Sequence, residues 1–219
     1  MLIAALVALV RPQIVPSDAN EVESASLSPS KSLPNWNDGR VWQYGLLLAS
    51  STVAFFAINA YSGILLRARG ETEALGGLLF AYNGMPLLAS FIVLTAPHWI
   101  GRRTPLIVSA LLSAAGLAGF IFLENWASWA AALVTGLAST VELILLVSLP
   151  PAIAKGIAVT RLSAGMTLIG FTIAFVLTLI GGWSADRTGW IEMSLIPSMV
   201  FMIAALAALG RTTYYPNYE

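Results

Sequence analysis

Residues 128–149 read SWAAALVTGLASTVELILLVSL, 22 positions with a single charged side chain, Glu142. As an α-helix this stretch rises about 33 Å, enough to cross a hydrocarbon core of about 30 Å. Five more stretches of the same kind lie at residues 45–66, 76–96, 106–122, 162–183 and 192–209. The third and sixth of the set are the shortest and are expected to stand nearly upright. Only 10% of the chain is charged, 58% is hydrophobic and the mean hydropathy is +0.80. A soluble domain carries about a quarter charged residues, so the solvent that fits this composition is the lipid bilayer. The pattern predicts an all-α integral membrane protein, a six-transmembrane-helix bundle.

The flanks and loops give the organisation. Residues 1–10 are apolar but too short to span, and Arg11-Pro12 stops them. They have neither a basic leader nor a small-residue cleavage site, so they read as the end of a preceding membrane helix, over residues 1–12. Residues 13–40, rich in Ser, Asn, Asp, Glu and Pro, read as a polar linker. A transmembrane domain over 41–211 and a short tail over 212–219 complete the chain. Basic residues divide unevenly between the two sides. Arg11, Lys31, Arg40, Arg102, Arg103, Lys155, Arg161 and Arg211 fall on one side, and Arg67, Arg69 and Arg187 on the other. The positive-inside rule then places the linker and the tail in the cytoplasm, with the bundle in the plasma membrane.

Several chemistries find no support in the composition. Lys plus Arg and Asp plus Glu are 11 each, so no basic excess points to nucleic acid. Without cysteine there is no disulfide, thiolate metal site or thiol nucleophile, and a lone His98 cannot hold zinc. No paired acids, His–Asp arrangement or activated serine is visible, so neither an enzyme nor a cofactor is expected.

The polar residues inside the spans are the candidate site. Thr135, Ser139 and Glu142 recur at steps of four and three and so share a helix face. A mid-helix carboxyl costs about 2.5–3.5 kcal/mol on insertion scales, so Glu142 is expected to face a cavity or a partner. Burial penalises the charged form of a carboxyl group, a property that proton-exchanging sites use. A purely structural Glu142, satisfied by a neighbouring helix, is the alternative. Thr52, Phe56, Asn59 and Ser62, with Tyr61 nearby, form a mixed face on the first span. Asn59 is a candidate solute contact or interhelical glue. Tyr82-Asn83-Gly84-Met85-Pro86 predicts a kink in the second span, where Asn83 and freed backbone would meet a solute. Ser163, Thr167, Gly170, Ala174, Thr178 and Gly181 read as a small-residue packing ridge on the fifth span. Trp42 and Tyr44 are expected as interfacial anchors. Arg102 and Arg103 are candidates for a conformational latch or simple anchoring, beside an exposed His98.

Gly101-Arg102-Arg103 resembles the basic end of the cytoplasmic loop motif of the major facilitator superfamily, with His98 and Trp99 where that motif has other charged residues. Arg161-Leu162-Ser163, Gly170-Phe171, Gly182 and Asp186-Arg187-Thr188-Gly189-Trp190 resemble the penultimate helix and loop of its cyanate and nitroimidazole permease branch. Thr167 and Thr178 depart from that branch's usual Gln and Pro. Gly84-Met85-Pro86 is similar to the branch's Gly-x-Pro break. Over residues 41–211 the resemblance implies helices seven to twelve, one half of a twelve-helix major facilitator fold. It further implies proton-coupled transport of a small polar or anionic solute, with a complementary N-terminal six-helix half as partner. Asn59, Tyr61, Asn83, Ser139 and Glu142 would then be binding or coupling residues. The competing expectation is a non-transporting structural or regulatory membrane subunit, or an inactive remnant.

Overall fold

A computed structural model describes residues 33–210; the preceding-helix remnant, most of the linker, and the tail lie outside the described residues. All regular structure among them is helical: α1 (Gly39–Ala68), α2 (Leu75–Thr95), α3 (Arg103–Phe122), α4 (Asn125–Val147), α5 (Pro150–Ile153), α6 (Ile157–Thr188) and α7 (Ile196–Gly210). Five of these segments are long and apolar enough to cross a membrane, so the chain is a multi-pass, all-helical membrane protein.

The sixth expected span differs. Ile191–Ser194 forms a 3₁₀ turn, and α7 covers 15 residues within the described part, about 22 Å. Pro197 lacks a backbone donor and is favoured in the first turn of a helix, where it stands here. The expected start at residue 192 therefore moves to Ile196. At the other end α1 begins at Gly39, inside the expected linker. Asp38 caps it, accepting the Arg40 backbone N–H at 3.0 Å and pairing with the Arg40 guanidinium at 2.8 Å. That hydrogen-bonded guanidinium holds the Asp38 carboxyl below its ordinary value.

The main pairings form a pattern. The six most extensive helix–helix contacts are α1 with α6, α3 with α4, α2 with α4, α1 with α4, α1 with α7 and α3 with α7. Exchanging α1, α2, α3 for α4, α6, α7 maps this set onto itself. With consecutive crossings alternating in direction, the three crossings α1–α3 set α4 in the opposite sense to α1. These six pairings have the pattern of an inverted repeat centred on α1 and α4; the smaller contacts of α6 with α7 and of α1 with α2 and α3 lie outside it.

Close approach between α1 and α6 rests on missing side chains. A Cβ on Gly45 would lie 2.8 Å from Ile169, one on Gly165 2.5 Å from Val41, and one on Gly170 3.0 Å from Leu48. On the expected ridge, Gly170, Ala174 and Gly181 are buried, but Thr167 is exposed and Gly165 takes its place. Tyr44 belongs to the same packing: it is 3% exposed in the core, so it is not the expected interfacial anchor, whereas Trp42 is 49% exposed. Positions 41, 44 and 48 follow the helical period, and this puts Tyr44 on the packed face. The α2–α3 turn needs Gly101, whose φ of 81° is the left-handed region.

Two apolar clusters fill the bundle. One gathers Val41, Tyr44, Leu48, Val93, Leu145 and Met166; the other gathers Ile58, Leu65, Tyr82, Leu117, Phe120 and Leu195. Along α1 they are separated by buried Ser50, Ser51 and Thr52, and along α4 by buried Thr135, Ser139 and Thr140. A polar belt therefore crosses the middle of the bundle.

A Cβ on Gly181 would lie 2.1 Å from the Ser194 carbonyl oxygen, a backbone atom that cannot rotate away, while one on Gly84 would meet nothing within 4 Å. Gly181→Ala is expected to lower stability by about 1–3 kcal/mol, and Gly84→Ala to cost nothing. Thermal unfolding of both variants in detergent checks this, and equal midpoints would contradict the packing described.

Candidate functional site

Glu142 is completely buried on α4. Its Oε1 accepts a hydrogen bond of 2.6 Å from the Ser50 hydroxyl of α1, which also lies 2.6 Å from the Leu47 carbonyl oxygen. One proton on Ser50 cannot serve both acceptors fully, so the two oxygens compete for it. Glu142 Oε2 has no hydrogen-bond partner. A proton, a cation or an incoming donor would complete the carboxyl. Glu142 is five residues before the end of α4, about 7.5 Å along the axis, so it is nearer the Arg102 end than the middle.

The expected face of α4 is present, but it is packed rather than wet. Thr135, Ser139 and Glu142 are all buried. The Thr135 hydroxyl donates to Ala131 and the Ser139 hydroxyl to Gly136, both within α4. Thr135 also lies against α3, where Gly116 leaves the space. Ser139 borders a cleft of about 220 Å³ whose walls come from Ser51, Thr52, Phe55 and Phe56 of α1, Pro86 of α2, Ser139, Thr140 and Leu143 of α4, and Phe171 of α6. The central helices each bring a Ser-Thr pair, Ser51-Thr52 and Ser139-Thr140. Every one of these hydroxyls donates to a backbone carbonyl of its own helix. Thr52 also reaches Gly170 of α6 at 3.3 Å. The cleft is therefore walled by apolar atoms, with Glu142 one turn from Ser139 and its partner Ser50 next to Ser51.

Asn59 and Asn83 come together away from Glu142. The Asn83 amide donates to Asn59 Oδ1 and to the Leu79 carbonyl, both at 2.9 Å, and Asn59 donates to Phe55. Asn83 is exposed near the middle of α2, and its side-chain oxygen accepts no hydrogen bond among the described residues. The helix around it is continuous from Leu75 to Thr95 with Pro86 inside. Tyr61 turns from this pair. Its hydroxyl donates to the Thr178 carbonyl of α6 and its ring lies over Gly182, so it ties α1 to α6. Arg102 is exposed at the N-cap position of α3 and Arg103 begins that helix, so both stand at a helix N-terminus. His98 is exposed, edge-on to Trp99.

Sequence reasoning missed Ser50, which lies 92 positions from its partner. It also missed a clamp built by the α1–α2 loop. Arg69 donates to the Phe120 and Ile121 carbonyls at the end of α3 and to the Ser128 hydroxyl of α4. Glu71 accepts the Asn125 N–H and the Trp129 indole N–H at the start of α4. A cation on a helix C-terminus and an anion on the next N-terminus complement both dipoles. Arg-x-Glu after a long apolar run was the available signal.

Comparison with models of protein families, with curated proteins and with solved structures found no match.

Removing the Ser50 hydroxyl leaves both Glu142 oxygens without a donor. Ser50→Ala is expected to destabilise the protein by about 1–3 kcal/mol, and Ser50→Ala with Glu142→Leu to lose less than the two single changes added together. A double-mutant cycle of unfolding midpoints in detergent checks the coupling, and strict additivity would mean that the hydrogen bond contributes nothing.

Proposed function

We propose that this chain is the C-terminal half of a major facilitator carrier, working with a complementary six-helix half in the plasma membrane, its linker and tail in the cytoplasm. The reaction is secondary transport of a small polar or anionic solute driven by protons. The observation that carries the reading is the inverted-repeat pairing of α1–α3 with α4, α6 and α7. Nested repeats of this kind build each half of such carriers, with solute bound near the midplane between the halves. The cleft at the polar belt draws its walls from both triplets, as a site on a repeat axis requires.

Asn83 adds a second support. An exposed amide with an open acceptor, halfway along a membrane helix, is costly against lipid. The α2 face that carries it is therefore expected to look into a water-filled path or onto another polypeptide. Glu142 is assigned proton coupling: its Oε2 accepts the proton, and Ser50 passes its own hydrogen bond between Glu142 and Leu47 as the charge changes. Asn59, Asn83 and Ser139 are assigned to the solute path, and Arg102 and Arg103 to the latch. A non-transporting structural subunit is the second reading, and the return of all four cleft hydroxyls to their own helices favours it.

The two readings separate in sealed vesicles. Uptake is expected only when the chain is co-expressed with an N-terminal six-helix half, and uptake by the chain alone would remove the partner dependence. In the assembled carrier, Glu142→Gln is expected to abolish acceleration by an imposed proton gradient while solute binding remains. Unchanged proton-driven uptake and pH dependence in that variant would exclude Glu142 as the coupling site.

A further inference from the structure

A groove of about 570 Å³ runs along the outside of the bundle between α2, α3 and α4, separate from the cleft at the polar belt. Its walls are Ile92, Val108, Leu112, Val134, Leu137 and Val141, and along α3 it extends from Thr104 to Leu112, about 12 Å. Val108 and Leu112 are half exposed, so the groove opens outward from the bundle. In a bilayer, water does not fill an open apolar furrow at this depth; a hydrocarbon chain does.

One end of the groove differs from the rest. Trp99, Thr104 and Pro105 close it at the α2–α3 turn, the level at which an indole ring sits in a membrane interface. Arg102, two residues before Thr104 and at the start of α3, is exposed. No Asp or Glu lines the groove, and Glu142 faces Ser50 on the other side of α4. Among the described residues, this end of the bundle carries Arg40, Arg102, Arg103, Lys155 and Arg161 against Asp38 alone, and Asp38 is held by Arg40.

An apolar furrow that ends at an indole, with an exposed arginine two residues before its lining Thr104, matches the two parts of one molecule. We propose that the groove is a binding site for an anionic phospholipid of the leaflet on the basic side. One acyl chain lies between α2, α3 and α4, and the Arg102 guanidinium holds the phosphate. The guanidinium fork matches phosphate oxygens, and a zwitterionic lipid brings a cationic headgroup that offsets the gain. The site needs the chain in a bilayer, but it does not depend on carrier activity.

Native mass spectrometry of the detergent-purified protein, titrated with palmitoyl-oleoyl phosphatidylglycerol or the matching phosphatidylcholine, tests the site. One phosphatidylglycerol is expected to be retained about fivefold more tightly than phosphatidylcholine, the factor that about 1 kcal/mol per basic residue near an anionic surface gives. Arg102→Gln is expected to bring phosphatidylglycerol down to the phosphatidylcholine level. Val108→Trp, at a half-exposed position that tolerates bulk, is expected to fill the groove and release both lipids, with the unfolding midpoint unchanged in each variant. Equal retention of the two lipids by the unaltered protein would overturn the proposal. So would a preserved preference in Arg102→Gln, or preserved retention in Val108→Trp.

Discussion

Everything in this bundle hangs on how closely α1 and α6 approach one another. Lipid tails are as apolar as leucine, so helices in a bilayer gain little from hiding apolar surface and must gain from contact itself. Gly45, Gly165 and Gly170 remove the side chains that would hold the two axes apart, and Ile169, Val41 and Leu48 fill the notches. Tyr61 and Thr52 then add hydrogen bonds from α1 to α6 carbonyls. With α1 fixed against α6, its other faces are free to receive α4 and α7. The α3–α4 hairpin is seated the same way, through Gly116 and Gly119 against Ala131 and Thr135. Tyr82 of α2 enters a third notch, at Gly136 of α4.

Polar groups are arranged around that packing according to what lipid permits. Most serine and threonine hydroxyls return to a carbonyl of their own helix, the lowest-cost solution where water is absent. The Arg69–Glu71 clamp spends its charges on helix ends, where orphan carbonyls and N–H groups have no other partner. Among the described residues, the buried Ser62, Ser113 and Ser198 hydroxyls find no partner, and Glu142 is the one ionisable group buried this way well inside a span. It is fully buried, carries one hydrogen bond and leaves an oxygen unpaired in an otherwise apolar segment of α4. A bundle selected only for stability would place leucine there.

The helices themselves were legible because hydropathy and length are local properties. Three of the five long spans matched their expected positions closely, while α1 and α6 ran longer at both ends, to 30 and 32 residues. The shared face of Thr135, Ser139 and Glu142 was readable from spacing alone. Whether that face met water or protein was not, since it depends on Ser50, far away in the chain. Tyr44 was misread because an aromatic near a span end suggests an anchor, although its register with Val41 and Leu48 placed it inside. Pro197 shows the opposite error: composition extended a span backward across a residue that favours the first turn of a helix. The helix pairing was not legible in the sequence, because it rests on contacts between segments far apart in the chain.

The polar belt is where these two levels meet. Both apolar clusters stop short of it, so the middle of the bundle has the least apolar packing along α1 and α4. Those are also the helices at the centre of the repeat, and Ser51-Thr52 and Ser139-Thr140 stand on them as opposed pairs. A group lying between the pairs would meet a hydroxyl-bearing turn from each triplet, in opposite orientation. Releasing the hydroxyls requires rotation about χ1, with Thr52 also giving up its contact to Gly170 of α6, while the carbonyls keep their own helical hydrogen bonds. The belt can therefore change from an apolar wall to a polar one without moving a helix, and Glu142 sits one turn away with an oxygen still to fill. That combination gives the transport proposal a physical footing that the resemblance of loop motifs alone does not.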